Sequence, residues 1–448
     1  MPSRSRLAAG CLSCSISLAT GSWAQADPVA PPTFVGDIAP ILYRHCITCH
    51  RAGEMAPMSL GTWDEVRPWV KAIRKAVANG EMPPWHADPR YGPYRNARGL
   101  DDSERRTLLD WIDAGAPRGD GEAPPPPLFA EGWQGGEPDV VVALPQEISI
   151  PADGGDEYHY VLVPTGFAEE RWVQSAEVRP GNRKALHHAT VFVFPPERIE
   201  QGPDGPRLRR TQPVEAGLTE RVGKVLQVRA DAPVVNDGCT LPDGGSWPGS
   251  PPREGPQIGV FLPGKGPDLR PAGMAVRVPA GAYLMFQLHY SPTGQPETDR
   301  TRIGLRFAND RVEHEVKRVE IWNNHFAIPP RASAHEVRSC YRFERAVRAV
   351  SFTAHMHYRG RAMTAEAIYP DGTTETVFSV PTYSFNWQTT YVLEAPRQIP
   401  AGTTIRTTAL FDNSAANALN PDPEQTVRWG EPTGSEMMGL WVEYVEQP

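Results

Sequence analysis

The sequence predicts a multidomain protein in which a small all-α domain is followed by two all-β sandwich domains. Helix-like spacing of apolar residues is confined to residues 34–117. From about residue 128 onward, short segments with alternating apolar side chains are separated by Gly, Pro, Asp and Asn, which is typical of antiparallel sandwiches. The 448-residue chain contains 48 Pro and 40 Gly, which favours many turns and short strands. The strand-like part is longer than one common sandwich, so we expect two β domains.

Residues 1–26 are predicted to be a secretory signal peptide, with a disordered leader as the alternative. A basic start, MPSRSR, precedes the apolar stretch LAAGCLSCSISLATG, which is too short to span a membrane, and AQA at 24–26 offers a cleavage site. We therefore expect a mature protein that begins near Asp27 in the periplasm or outside the cell. Later segments lack the pattern of a membrane span, and the net charge of −8 gives no reason to expect nucleic acid or an anionic membrane as partner.

The small domain, residues 33–118, is predicted to contain amphipathic helices. In DEVRPWVKAIRKAVANG, apolar residues recur at helical spacing and Gly80 follows as a stop: Val66, Trp69, Val70, Ile73 and Val77. LDDSERRTLLDWIDAGAP begins with a capping Asp/Ser cluster and ends at Gly115 and Pro117. The following stretch, GDGEAPPPP at 119–127, reads as a stiff, polyproline-like linker.

The motif CITCH, Cys46 to His50, carries the strongest chemical signal in the small domain. Two thiols three residues apart can form thioethers to both vinyl groups of a haem, and the adjacent His50 can ligate the iron. A zinc half-site or a redox dithiol would use the same cysteines. The sequence offers no second Cys pair for zinc and no thioredoxin-like pattern around Cys46 and Cys49, so a covalently bound haem c is predicted.

The second axial ligand of this haem is expected to be a methionine. Met55, Met58 and Met82 are the candidates, and Pro83 and Pro84 would stiffen the loop that presents Met82. The order of a CxxCH motif, a Met-Pro loop and a final amphipathic helix resembles a class I cytochrome c. That resemblance selects Met82, with His86 as the rival ligand.

Two β domains are predicted, at residues 128–312 and 313–448. In the second, AVSFTAHMHY alternates so that Met356 faces the core while His355 and His357 stand together on the polar face. In SEMMGLWVEYV, the same alternation turns Met438 into the core and leaves Met437 free to ligate. Two imidazoles with one thioether suit copper that cycles through Cu(I), although a pair of surface histidines would have the same spacing.

The first β domain has a second group of nitrogen donors. LHHATVFVF places His187 and His188 side by side at the start of a strand, where both can bind one ion only if the strand is bent or distorted. YLMFQLHYSP places Gln287 and His289 on one strand face, opposite three apolar residues. Three histidines leave an open position for copper or zinc, whereas each histidine taken singly could be structural.

The order of these motifs (paired His, Gln-x-His-Tyr, His-x-His, Glu-Met) resembles the copper type II monooxygenases. That family includes peptidylglycine α-hydroxylating and dopamine β-monooxygenases, and the resemblance covers roughly residues 128–448. It implies two jelly-roll-like sandwiches with one copper each, facing a solvent-filled cleft. His187, His188 and His289 match the electron-transfer copper, and Gln287 matches a nearby glutamine. His355, His357 and Met437 match the oxygen-binding copper.

Other segments refine this resemblance. QTTYVLEAPRQIPAGT and DNSAANALNPDPEQTVRWG resemble bacterial members that carry a cytochrome domain. Thr353 stands where the peptidylglycine enzyme has an arginine for the peptide carboxylate, and Trp441 replaces its tyrosine. A glycine-extended peptide is therefore not the expected substrate. Tyr383, Phe385 and Trp387 suggest a partly apolar pocket. Cys239 and Cys340 fit either one disulfide or two buried thiols.

Together these observations predict a periplasmic dicopper monooxygenase that hydroxylates a C–H bond of an organic substrate with O₂. The fused haem c would receive electrons from an external donor, a redox protein or a small reductant, and pass them singly to the copper of His187, His188 and His289. That copper would relay them to the copper of His355, His357 and Met437, where O₂ binds. The alternative is a non-catalytic periplasmic haem and copper protein that transfers electrons or binds copper.

Overall fold

The computed structural model describes residues 30–447, except 53, 55, 57, 128–131, 204, 210–218, 223–224, 242–255 and 263–264. The predicted signal peptide lies outside the described residues, and so does Met55, one of the candidate haem ligands.

The α-helices of the described chain lie in its N-terminal part: α1 Ala39–His45, α2 Trp63–Val66, α3 Val70–Ala78 and α4 Asp102–Asp113. Apolar residues from these helices and the preceding turn form one core, in which Phe34, Leu42 and Trp111 are fully buried. None of the helices in the described ranges has the length and apolarity to cross a membrane.

The two predicted helices are present with one difference. α4 begins where the capping cluster predicted it, because the Asp101 carboxylate accepts the N–H groups of Ser103 and Glu104. The first predicted helix is divided into α2 and α3 by the turn Arg67–Trp69, which contains a proline. This leaves Trp69 41% exposed, so the prediction that it belongs to the apolar face is wrong.

The rest of the described chain is mostly β-structure. The strands are β1 Val140–Ala143, β2 Ile148–Ile150, β3 Glu157–Pro164, β4 Arg171–Arg179, β5 Leu186–Phe194, β6 Ile199–Gly202, β7 Gly205–Leu208, β8 Thr219–Val222, β9 Val225–Val228, β10 Gln257–Phe261, β11 Asp268–Leu269, β12 Met274–Val278, β13 Tyr283–Tyr290, β14 Glu297–Asp299, β15 Arg302–Phe307, β16 His314–Trp322, β17 Ala327–Ile328, β18 His335–Arg342, β19 Val347–His355, β20 Gly360–Ile368, β21 Thr374–Val380, β22 Thr390–Ile399, β23 Thr404–Phe411, β24 Val427–Arg428 and β25 Gly439–Glu446.

These strands form sandwiches that share one large sheet. Its order is β1-β15-β4-β12-β16-β25-β19-β22, with β11 added beside β4. The half that contains β4 packs on the sheet β10-β5-β13-β3, and the half that contains β25 packs on β18-β23-β20-β21. Each pair of layers encloses its own apolar core, as expected where strand faces alternate between core and solvent.

The two halves of the large sheet are joined by β12 and β16. These strands pair in parallel, with Met274 opposite His314 and Ala275 opposite Glu315. The predicted boundary between residues 312 and 313 falls immediately before β16. Backbone hydrogen bonding therefore continues from one sandwich into the other.

The N-terminal part docks on the free edge of β22. Tyr94 forms an isolated antiparallel bridge with Leu393, and the Arg95 N–H donates to the carbonyl of Val392 over 2.8 Å. The Trp85 ring packs edge-on against Tyr391 with ring centroids 5.0 Å apart. The segment therefore covers a sheet edge that would otherwise be open.

Cys239 and Cys340 form a disulfide, which selects one of the two states that the sequence left open. Cys340 lies on β18 of the second sandwich, whereas Cys239 belongs to a segment between β9 and β10 of the first. The N–H of Val228 also donates to the carbonyl of Trp429 over 2.9 Å. The disulfide thus secures a chain segment that crosses from the first sandwich to the second.

Candidate metal centres

Three histidines of the first sandwich converge on one point. His187 and His188 lie on β5, and His289 lies on the adjacent β13. Opposite this point the register passes from His188 facing His289 to Leu186 facing Tyr290, so His187 is the extra residue of a β-bulge. The distortion that two neighbouring histidines require is therefore present. One ligand atom from each of the three lies within 4.8 Å of the others.

The surroundings of this first set orient its rings. Nδ1 of His187 lies 3.3 Å from Nδ1 of His289. On the other side of His289, Nε2 lies 3.0 Å from Oδ2 of Asp156. The ring of Tyr158 stacks on His289 with centroids 4.3 Å apart and planes 14° from parallel. Asp156 and Tyr158 thus hold the imidazole of His289 so that its Nδ1 faces His187.

The second set comes from two segments that meet beside β19 and β25. His355 is the last residue of β19, His357 follows the strand, and Met437 precedes β25. Met356 and Met438 are fully buried in the core of the second sandwich, as the alternation predicts. Sδ of Met437 lies 3.3 Å from Nε2 of His355.

Both imidazoles of the second set are held from behind. Nδ1 of His355 lies 2.6 Å from Oε1 of Gln388, which leaves Nε2 toward the sulfur. Nδ1 of His357 lies 3.2 Å from the carbonyl oxygen of Ser435. Nε2 of His357 is buried and has no hydrogen-bond partner among the described residues. A buried ring nitrogen without a partner is costly unless a ligand occupies the position in front of it.

The fully buried carboxylate of Glu436 ties the two segments of the second set together. Oε2 accepts the backbone N–H of His357 over 2.7 Å and that of Met437 over 3.3 Å, and Oε1 accepts the N–H of Arg359 over 2.6 Å. Burial raises the pKa of Glu436 to about 8, against the effect of these N–H donors. One side chain thus fixes the backbone at both His357 and Met437.

Burial keeps four of these histidines, His187, His188, His355 and His357, in their neutral form. It lowers the pKa of His187 to about 4, with a further decrease from His289, and it lowers the pKa of His355 to about 4 against the effect of Gln388. The pKa values of His188 and His357 are also lowered well below the ordinary range by burial. Neutral imidazole is the form that ligates metals.

The donor atoms in both sets fit a transition metal. Two nitrogen ligands at about 2.0–2.1 Å from a tetrahedral ion lie about 3.3 Å apart. The Nδ1 atoms of His187 and His289 have this separation. A thioether and an imidazole at slightly different bond lengths give a similar value, as found for Met437 and His355. Imidazole with thioether favours Cu(I), and three imidazoles accept copper or zinc.

One cavity of about 60 Å³ touches both sets. It is lined by His188 from the first set and by His355 and Met437 from the second. Gln287, Thr353 and Trp441, which the sequence placed near the sites, also line it. The cavity wall combines aromatic, aliphatic, amide and hydroxyl side chains with one carboxylate, that of Glu431.

The three aromatic residues expected near a substrate lie elsewhere among the described residues. Tyr383 is buried in the second core, and its hydroxyl donates to the carbonyl of Met356 over 2.6 Å. Phe385 packs against histidines of both sets, and Trp387 lines a different cavity. None of the three is among the described residues that line the cavity touching both sets, although Phe385 contacts His187 and His357.

That different cavity, of about 340 Å³, lies beside the CITCH motif. Cys46, Cys49 and His50 line it together with Met82, Pro83 and Pro84. Cys46 and Cys49 form no disulfide with each other, and burial raises the pKa of the Cys46 thiol to about 12. Nδ1 of His50 lies 3.3 Å from the carbonyl oxygen of Met58, a contact that selects Nε2 as the ligating nitrogen. Thiols, imidazole and thioether around one void fit a covalently attached haem.

The candidates for the second axial ligand have different surroundings in the structure. Met58 packs against the N-terminal core, whereas Met82 lines the cavity opposite the cysteines. Among the described residues that line this cavity, His86 is absent. The geometry therefore favours Met82 over Met58 and His86.

Sequence reasoning missed the residues that orient the candidate ligands. Asp156, Gln388 and the carboxylate role of Glu436 depend on contacts between segments far apart in the chain. Asp156 follows a Gly-rich turn, and Gln388 follows the aromatic cluster that the sequence did single out. The only signal that could have identified them is that each side chain carries an oxygen atom able to accept a hydrogen bond near a ligating histidine.

Comparison with known proteins gives no family assignment. No family model and no curated protein matches the sequence. Among solved structures, PNGF-II is 10% identical, with a TM-score of 0.24 over 68% of this chain; the match spans 65% of the PNGF-II chain. The VP2 subviral particle of infectious bursal disease virus is also 10% identical, with a TM-score of 0.19 over 69% of this chain and 73% of that one.

Proposed function

We propose that this protein is a periplasmic dicopper monooxygenase that hydroxylates a C–H bond of a small organic substrate with O₂. His187, His188 and His289 would hold one copper, and His355, His357 and Met437 the other. Cys46, Cys49, His50 and Met82 would hold a haem c that is supplied by an external electron donor. The Cys239–Cys340 disulfide supports an oxidising compartment.

The observation that carries the proposal is the approach of Met437 Sδ to within 3.3 Å of His355 Nε2. The sulfur and the imidazole come from segments 82 residues apart. Met356 and Met438 are fully buried in the core of the second sandwich, and Met437 lies at the margin of the same core with 7% of its surface exposed. A soft metal accounts for the direction of this thioether toward the His355 imidazole.

When bound, copper and haem would supply one-electron redox chemistry, so that one atom of O₂ enters the substrate and two electrons and two protons convert the other to water. The chain's residues provide the rest. Gln388 and Ser435 orient the imidazoles of the second set, and Glu436 fixes the backbone of His357 and Met437. Trp322 and Trp441 line the cavity beside His355, with ring centroids 5.9 and 5.4 Å from its imidazole.

Metal analysis and oxygen uptake of the full-length protein test the proposal. We expect one haem and two coppers per chain, with oxygen uptake matched by hydroxylated product across a screen of small neutral or cationic substrates. His355→Ala should abolish product formation while the haem remains reducible.

His159→Ala is the matched control, because His159 pairs with Glu157 at 2.9 Å and belongs to neither set. Product formation that survives His355→Ala would refute the assignment. Oxygen uptake that stays uncoupled from product throughout the screen, in a protein with full metal content, would favour a non-catalytic electron-transfer protein.

A further inference from the structure

A four-residue segment between β21 and β22 touches all three candidate redox sites. The turn Phe385–Trp387 is followed directly by Gln388. The segment packs at the point where the N-terminal part meets both sandwiches. Three of its side chains, Phe385, Trp387 and Gln388, reach these sites.

Phe385 lies between the two sets of imidazoles. Its ring stacks on His187 of the first set, with centroids 5.3 Å apart and planes 25° from parallel. It also meets the edge of His357 of the second set, with centroids 5.8 Å apart. The side chain is 5% exposed, so water is excluded from this junction.

Trp387 and Gln388 reach the other two directions. Trp387 lines the cavity that contains Cys46, Cys49 and Met82, and it is the contribution of the second sandwich to that cavity among the described lining residues. Oε1 of Gln388 lies 2.6 Å from Nδ1 of His355. A path from Trp387 at the cavity wall follows the covalent bonds of this segment to Phe385. It then reaches either imidazole set through the ring contacts of Phe385 with His187 and His357.

We propose that the Phe385–Gln388 segment is the electron route from the haem cavity to both copper sets. This inference rests on the proposed cofactors. It changes the order expected from the sequence, in which electrons reach the second set only through the first. Because Phe385 contacts a histidine of each set, either copper can be reduced directly from the haem side.

Each transfer along this route is a one-electron step. With both cofactors bound, a ferrous haem iron would be oxidised to ferric while one Cu(II) would be reduced to Cu(I). No bond in the segment forms or breaks. Two such transfers supply the two electrons of a turnover, and an external one-electron donor restores the haem after each. Trp387 would determine the electronic coupling between the haem and the segment. Phe385 would divide that coupling between the two copper sets.

The test is the rate of this transfer in the full-length protein loaded with haem and Cu(II), without O₂ or substrate. The haem is reduced by a flash-generated reductant, its reoxidation is followed by absorbance, and the loss of Cu(II) is followed by electron paramagnetic resonance. Trp387→Leu and Phe385→Leu are each expected to slow reoxidation at least tenfold. Haem content, copper content and the haem spectrum should remain unchanged.

Trp85→Leu is the matched control. Trp85 follows the same Met-Pro-Pro loop, but its ring packs on Tyr94 and Tyr391. Its loss should leave the rate within twofold of the unsubstituted protein. If a leucine variant fails to load its cofactors, the haem reoxidation rate is measured in Trp387→Phe and Phe385→Tyr, which retain aromatic packing. Trp387→Phe should still slow the transfer.

Wild-type rates in the loaded Trp387 and Phe385 variants would overturn the route, and so would a slow Trp85→Leu variant beside a fast Trp387→Leu variant. These outcomes are independent of catalysis. If transfer slows as expected and product is never formed, the route stands and the monooxygenase proposal fails. If product forms with an added copper reductant while the variants transfer normally, the route fails and the monooxygenase proposal stands.

Discussion

Replacement of Met437 by leucine separates the metal-binding role of its sulfur from its role in packing. The side chain is 7% exposed, and leucine fills nearly the same volume, so the free energy of unfolding of the metal-free protein should change by less than about 1.5 kcal/mol. The sulfur that lies 3.3 Å from His355 Nε2 is lost completely. Loss of an orienting group behind a ligand weakens metal binding roughly 10–100-fold, and loss of a ligand should cost no less.

The expected decrease in Cu(I) affinity at the second set is therefore at least tenfold, or about 1.4 kcal/mol. It would be measured by anaerobic titration against a chelator, with urea unfolding of the metal-free protein alongside. The first set provides an internal reference. Met438→Leu is the matched control, because Met438 is fully buried in the core and should lose only packing energy. Two Cu(I) ions bound with unchanged affinity by Met437→Leu, or an equal loss in Met438→Leu, would refute the reasoning.

Three further predictions concern stability. The double replacement of Cys239 and Cys340 by serine opens a covalent loop with a sequence separation of 101, which chain entropy values at about 4.7 kcal/mol; a decrease below about 1 kcal/mol in urea unfolding would contradict this. Gly439→Ala would place a Cβ 2.6 Å from Cε2 of Trp322, so we expect a destabilisation of about 1–3 kcal/mol and altered tryptophan fluorescence, whereas an unchanged spectrum would show that the contact is relieved elsewhere. Asp101→Ala removes the cap of α4 and should cost about 1 kcal/mol, visible as a lower unfolding midpoint, while Asp101→Asn should retain most of it.

Local patterns were sufficient to predict which face each ligand occupies. Alternation places His355 on the face opposite Met356, because successive side chains on a strand point to opposite faces, and it brings Met437 beside His355, although Met437 also belongs to the apolar core that contains Met438. The need for a distortion at His187 followed from the same rule, and the β-bulge supplies it. Such predictions depend only on residues within a few positions of one another.

The same rule failed where the strand is irregular. Strict alternation along AVSFTAHMHY predicts that Val350 shares the core face of Phe352 and Ala354. In the structure Val350 packs in the core of the first sandwich, while Phe352 and Ala354 pack in the second. A register shift between Ala349 and Ser351 reverses the alternation at this point. Nothing in the local sequence marks the shift, because it depends on how β19 passes from one sandwich to the other.

Contacts between distant segments were beyond prediction for a similar reason. The sequence singled out Phe385 and Trp387 as aromatic residues near a pocket, but their directions are set by a short turn whose position depends on three packed units. The union of the sandwiches through β12 and β16 likewise has no sequence signal, because only two residue pairs form it. Spacing predicted the types of donor atoms, and tertiary packing determined which groups orient them.

The backbone bridge between Tyr94 and Leu393 has a consequence for dissection of the molecule. A fragment that begins after residue 118 would leave β22 with unsatisfied donors and acceptors along its outer margin, and a second copy is the nearest source of partners. The N-terminal part therefore blocks self-association through the edge of β22, in addition to providing the candidate haem ligands. The oligomeric state of the isolated sandwich domains should therefore be measured before other biochemical experiments on them.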